Sequence, residues 1–349
     1  MNIDIEMIAK LKMDENSKLI IGLTYDLRSE YLKNGYSEEE TAEFDSEDTI
    51  NAIESTLQQL GYRTDRIGHI RTLTSRLVKG DRWDLVFNIA EGLSGIGRES
   101  QVPAILEAYE IPYTFSDPCV LALSLHKGLA KHVIRDIGIS TPDFYVVEDE
   151  NDINKINFHF PLFVKPVAEG TGKGITKASK VVDKNQLATE CKMVLNKFQQ
   201  PALVEVFLPG REFTVGIIGT GSKAQVIGGV LEVVLREGAE AEVYSYHNKE
   251  FYDDLVKYHL IEGEIAEKVK EVALAVWKGL YCRDAGRVDI RCDNNGVPHF
   301  LEVNPLAGLN PIRSDLPIAC NLSGIPYKYL IEQIMESAKE RIKLHTKRT

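Results

Sequence analysis

The chain of 349 residues lacks any apolar run approaching the ~18 residues needed to span a bilayer, and its start, "MNIDIEMIAKLKMDENSK", is charged throughout, unlike a secretory leader. A basic excess is also missing. The net charge is −11, which argues against a general nucleic-acid surface. Five cysteines (Cys119, Cys191, Cys282, Cys292 and Cys320) form no C-x-x-C pair, and their odd number fits reduced thiols with no catalytic role. There is no internal repeat, "GLSGIG" is not G-x-G-x-x-G, and no G-x-x-x-x-G-K-[ST] loop occurs. These absences predict a cytoplasmic protein that handles small molecules, not nucleic acid or membrane.

What is present is a conventional balance of 44% hydrophobic and 27% charged residues, long enough for two or three domains. "KLIIGLTYD" and "DLVFNIAEG" read as buried strands, and Ile50, Ile53, Leu57 and Leu60 recur at helical spacing before Gly61. Strands alternating with helices predict a parallel sheet in the first ~120 residues. After a boundary near residue 118, helix "HKGLAKHVIRDIG" precedes a mixture of antiparallel strands and helices, with a final helix from about Tyr327.

Three stretches carry chemistry. In "GRVDIRCDNNGVPHFLEVN" (286–304), Asn295-Gly296 reads as a two-residue hairpin turn, which sets Asp289 opposite Glu302. Opposed like charges repel, and Asn304 lies on the same face. Two carboxylates and an amide suit a hard divalent cation such as Mg²⁺; a solvent-facing polar strand face is the alternative. In "VKPVAEGTGKGI", Gly170, Gly172 and Gly174 free the backbone to approach a polyphosphate, with Thr171, Lys173 and Lys165 adding a hydroxyl and two charges; an ordinary flexible hairpin tip would read the same way. In "VEVFLPGREF", Glu205 and Glu212 can accept from an adenine amino group and ribose hydroxyls, or Arg211 can simply pair with a neighbouring acid.

Together with "LHKGLAKHVIRDIGISTP", "YSYHNK" and "PLAGLNP", these stretches resemble, in order and separation, the D-alanine:D-alanine ligases of the ATP-grasp superfamily. The resemblance covers about two-thirds of the chain, from Asp117 onward. It implies an α/β and α+β ATP-grasp fold: an N-terminal parallel α/β domain (1–118), a central lid domain (119–204) and a C-terminal antiparallel-sheet domain (205–349). The implied cofactors are ATP and two Mg²⁺ ions, with Mn²⁺ as a substitute. Lys127 and Lys165 would hold the α- and β-phosphates and the loop 170–174 the β/γ end. Glu205 would meet the adenine amino group, Val206, Phe207 and Leu208 the base edge, Glu212 the ribose, and Leu301 the nucleotide. Lys249 would reach the γ-phosphate, with Thr171 beside it. Asp289, Glu302 and Asn304 would bind the metals, and Arg287 would face the transferred phosphoryl group and a developing oxyanion. The activity implied is a carboxylate–amine ligation through an acyl phosphate, and relatives of this kind are commonly homodimers.

The substrate end departs from the family's pattern. Its E-x-x-[VI]-S segment is replaced by the longer "LTYDLRSEYLKNGYSEEETAEFDSEDTI", where Glu47 is the nearest candidate for an ammonium contact. Its H-G-x-x-G-E-D-G loop is replaced by "AEGLSGIGRES", where Glu91 or Arg98 would stand in. After Asn304, the acceptor contacts fall on Gly308, Arg313 and Ser314. These departures leave three functions open: a D-alanine:D-alanine ligase, a sister ligase of mycosporine or peptide-antibiotic type with a different donor, or a nucleotide-binding regulator. The regulator would have lost metal or phosphate ligands that this sequence retains.

Overall fold

The computed structural model describes residues 14, 16–236 and 255–346; Lys249 and the rest of "YSYHNK" lie outside the described residues. The chain opens on a parallel sheet of order β2-β1-β3, made by β1 (Ile20–Thr24), β2 (Arg63–Gly68) and β3 (Leu85–Asn88). The run Ile21–Thr24 and all of β3 are buried, as expected for parallel strands covered on both faces. Between them lie α1 (Arg28–Lys33), α2 (Glu47–Gln59) and α3 (Ile70–Val78), and α4 (Gln101–Ala108) follows β3. Helix α2 starts where Ser46 accepts the Thr49 N–H and buries Ile50, Ile53 and Leu57; Gly61, at φ 91°, ends that unit. The expected parallel sheet and amphipathic helix are both present.

Helices α5 (Pro118–Leu125) and α6 (Lys127–Asp136) lead into an antiparallel sheet of order β4-β7-β5-β6: β4 (Phe144–Val147), β5 (Leu162–Pro166), β6 (Lys180–Val181) and β7 (Ala202–Val206), with α7 (Lys184–Lys197) packed on it. A second antiparallel sheet, of order β10-β9-β8-β11-β12, is built from β8 (Glu212–Ile218), β9 (Gln225–Leu235), β10 (Val256–Ile261), β11 (Ala285–Cys292) and β12 (Pro298–Asn304). Helix α8 (Glu264–Gly279) backs it with fully buried Trp277, whose Nε1 donates to the Gly219 carbonyl at 3.0 Å. Then come α9 (Asp315–Leu322) and α10 (Tyr327–Thr346).

The division at 204/205 falls inside β7, which carries Glu205 and Val206 opposite Phe144 and β5. The strands flanking Pro209-Gly210 therefore belong to different sheets. The N-terminal unit is also not closed by residues 1–118 alone: Leu330, Ile331, Ile334 and Met335 of α10 share one core with Ile21, Leu57 and Phe87.

Candidate active site

The β11–β12 hairpin presents Asp289 directly opposite Glu302 and Arg287 opposite Asn304, so the expected facing acids are observed by a different route. The tip is not a two-residue turn. Asp293 pairs with Val297 across three residues, with Gly296 at φ 76°, and its carboxylate accepts the N–H groups of Asn295 and Val297. That tip alone would put Leu301 opposite Asp289. A bulge between Asp289 and Ile290 restores the pairing and turns Leu301 and Glu302 into the same cleft.

Cations and donors surround these acids. Thr214 Oγ1 donates to Asp289 Oδ1 at 2.6 Å, and Asn304 Nδ2 donates to Asp289 Oδ2 at 3.2 Å. Arg287 Nε lies 3.3 Å from Asp289, and Lys127 Nζ lies 3.4 Å from Glu302. Among the described residues no three His, Cys, Asp or Glu side chains are placed to hold a metal ion together, and here the third oxygen donor is the amide of Asn304. An all-oxygen set of two carboxylates and an amide fits a hard divalent cation.

A cleft of about 790 Å³ runs from this hairpin between the two antiparallel sheets, lined by Phe163, Val206, Phe207, Leu208, Glu212 and Leu301 among others. At its wall the Glu205 carboxylate, 3% exposed, sits between two ammonium groups: Lys131 Nζ at 2.6 Å and Lys165 Nζ at 2.8 Å. Burial pushes the Glu205 carboxyl up, but the two lysines outweigh it and hold the group below the usual range. Burial pushes fully buried Lys131 down to about 8 despite Glu205. Lys131, which also donates to Thr141 Oγ1 at 2.9 Å, was not singled out in the sequence. Its signal was there: it stands four residues after Lys127 on one helix face. Glu212 receives Arg291 Nη1 at 3.1 Å.

The glycine-rich loop follows β5. Gly172 and Gly174 hold φ of 72° and 75°, and Thr171 adopts the same left-handed region at 53°. Lys173 pairs with Glu169 at 2.6 Å, and Lys127 Nζ donates to the Glu169 carbonyl at 2.6 Å, tying loop to helix.

A second cleft, about 1830 Å³, adjoins the first at Glu302 and Asp315. The segments that follow β1 and β3 supply Arg28, Asp45 and Glu91 to it, on the side where a ligand usually binds in an open α/β sheet. Of the expected substrate residues it gathers Glu91, Gly308, Arg313 and Ser314. It does not gather two others. Glu47 is exposed on the first turn of α2, paired with Arg66 at 2.6 Å, because Ser46 starts the helix just before it. Arg98 is buried, bound to Glu43 at 2.7 Å and to the Ala168 carbonyl at 2.8 Å. The acids facing the cleft beside Glu91 are Asp45 and Glu99, both pushed up to about 7 by burial; Glu91 is raised for the same reason. Asp315, also unforeseen, receives Arg287 Nη1 at 2.7 Å and the Tyr258 hydroxyl at 2.7 Å.

Comparisons with known proteins bear on the family and the fold. The family model "D-ala D-ala ligase C-terminus" matches residues 133–336. A D-alanine–D-alanine ligase of Aquifex aeolicus is 31% identical over 289 residues, 82% of this chain and 93% of its own. An uncharacterized protein of Sinorhizobium fredii is 33% identical over 262 residues, 74% and 75% of the two chains. Among solved structures, the D-alanine–D-alanine ligase from Bacillus anthracis complexed with ATP aligns at a TM-score of 0.70 and 23% identity over 94% of this chain and 99% of that one. The VanG D-Ala:D-Ser ligase from Enterococcus faecalis gives 0.70 at 20% identity over 92% and 99%. The structural likeness carries the fold and the sequence matches carry the family: the chain belongs to the D-alanine–D-alanine ligase family, on the ATP-grasp fold.

Proposed function

We propose that this enzyme, an ATP-dependent carboxylate–amine ligase by its family, activates an amino-acid carboxylate as an acyl phosphate and lets an amine displace the phosphate. The observation that carries the reading is the meeting of two clefts at one oxygen cluster. Asp289, Glu302 and Asn304 stand where the narrow apolar cleft opens into the large polar one, with Arg287 and Lys127 beside them.

In this reading the narrow cleft takes the adenine against Phe207, Leu208 and Leu301, while Glu205 and Glu212 meet the amino group and ribose. Lys127, Lys165 and the loop 170–174 hold the phosphates. Asp289, Glu302 and Asn304 would hold Mg²⁺, which supplies charge neutralisation along the phosphate chain. Arg287, fixed between Asp289 and Asp315, faces the group in transfer and stabilises oxyanion charge as the amine attacks. The attacking amine loses a proton, phosphate departs with the acyl oxygen, and no side-chain nucleophile is needed. Asp45, Glu91 and Glu99 offer acceptors for an amino acid's ammonium, and Arg313 a two-pronged site for its carboxylate.

The test is phosphate release from ATP and Mg²⁺ over panels of D- and L-amino acids. Asp289→Asn and Glu302→Gln should each lower turnover at least ~100-fold with the fold intact by circular dichroism. Wild-type rates in either variant would overturn the assignment.

A further inference from the structure

Both loops that depart from the family's pattern at the substrate end, 55 residues apart, meet in the folded chain. Glu43, in the long segment after β1, and Arg98, in the loop after β3, pair at 2.7 Å with side chains 8% and 7% exposed. Neither is simply paired with the other. Glu43 Oε1 accepts the backbone N–H of Gly170 at 2.6 Å, and Arg98 Nη1 donates to the Ala168 carbonyl at 2.8 Å. Arg98 also lies 3.9 Å from Glu169, which Lys173 holds from inside the loop. A further tie runs from Glu39 of the same segment to Lys197 at the end of α7, at 2.7 Å.

The electrostatics agree that the pair is ionised. Burial pushes the Glu43 carboxyl up, but Arg98 and Lys173 outweigh it and hold it below the usual range. A desolvated ion pair is an expensive way to join two surfaces, since well-packed apolar side chains often do as well. What it provides is direction. Both charges reach the backbone of residues 168–170, the point where β5 becomes the glycine-rich loop. Glu43 and Asp45 of the same segment line the large cleft, so the wall that meets a substrate is also the wall that holds the loop.

We propose that Glu43 and Arg98 form a latch that fastens the glycine-rich loop to the N-terminal unit, and that they are positioning residues for the ligation. The catalytic part rests on the ligase reading above: a loop held shut keeps water from the acyl phosphate until the amine attacks.

Two arms test it separately. In the first, hydrogen exchange of residues 168–174 is followed without nucleotide in the wild type, Glu43→Gln and Arg98→Met. The latch requires at least ten-fold faster exchange there in both variants, with β8 and β11 amides unchanged as the control for folding. Unchanged loop exchange in folded variants overturns it. In the second, with ATP, Mg²⁺ and the amino-acid pair active in the phosphate-release screen, phosphate released per amide formed should rise at least three-fold in Glu43→Gln from a wild-type value near one. A ratio that stays near one while the loop exchanges fast overturns the positioning role. Absence of phosphate release by the wild type with every amino acid defeats the ligase reading alone, and the exchange arm then decides the latch.

Discussion

Glu205 shows what one buried charge can hold together. Its two oxygens are shared between Lys131 and Lys165, all three side chains almost fully enclosed. Removing the carboxylate leaves two ammonium groups without their counter-ion, and breaking such a pair costs about 3–5 kcal/mol. Glu205→Ala is therefore expected to lower the denaturant midpoint sharply. Glu212→Ala, whose acid is less enclosed and pairs with Arg291, should shift stability by less than ~1 kcal/mol while weakening nucleotide binding. Urea titrations of both variants, with fluorescence-detected ATP binding, check the contrast. The sequence displayed Glu205, Glu212 and Lys165 because strand ends and turns mark them. It showed Lys131 only through its place four residues after Lys127, and it hid Glu43 and Asp315 because their partners lie 28 or more residues away, beyond the reach of any local period.

The element on which most depends is the β11–β12 hairpin. Counting outward from Asn295-Gly296 reaches the right pairing of Asp289 with Glu302 through two compensating departures, a three-residue tip and a one-residue bulge. Period-two alternation cannot reveal a bulge, since the extra residue is ordinary in composition. The bulge has its own consequence: Leu301 joins Glu302 in facing the nucleotide cleft, where strict alternation would have sent one of them away. Leu301→Ala should raise the Kd for ATP about 3- to 10-fold, as expected for losing ~1 kcal/mol of apolar contact, with kcat little changed. Isothermal titration and steady-state kinetics together separate the two constants. A fall in kcat with unchanged Kd would show that Leu301 supports the metal face, not the base.

At the scale of the whole molecule, charge and core both cross the unit boundaries. Asp45 and Glu99 keep protons in the folded state up to about pH 7, whereas an unfolded chain gives them up near pH 4. The native state then binds more protons between those values, so these groups make stability fall as pH rises through that window and level off above it. Glu43 and Glu205, held low, work in the opposite sense, losing stability only as pH drops below the ordinary carboxylate range. Glu99→Gln should therefore gain ~1–3 kcal/mol over the wild type on moving from pH 5 to pH 8. Guanidinium titrations at the two pH values would show it, and an unchanged difference would place the proton elsewhere. The parallel sheet and the presence of antiparallel strands after it were legible from alternation and turn residues, but the division of those strands into two sheets was not. The unit boundaries were not, because a helix's apolar stripe names no partner.

That stripe on α10 sets an order of events during synthesis. Helix α10 supplies Leu330, Ile331, Ile334 and Met335 to a core begun by Ile21, Leu57 and Phe87, so the parallel-sheet unit cannot complete that core until α10 has been synthesised. Contacts so far apart in sequence slow the closure of that core.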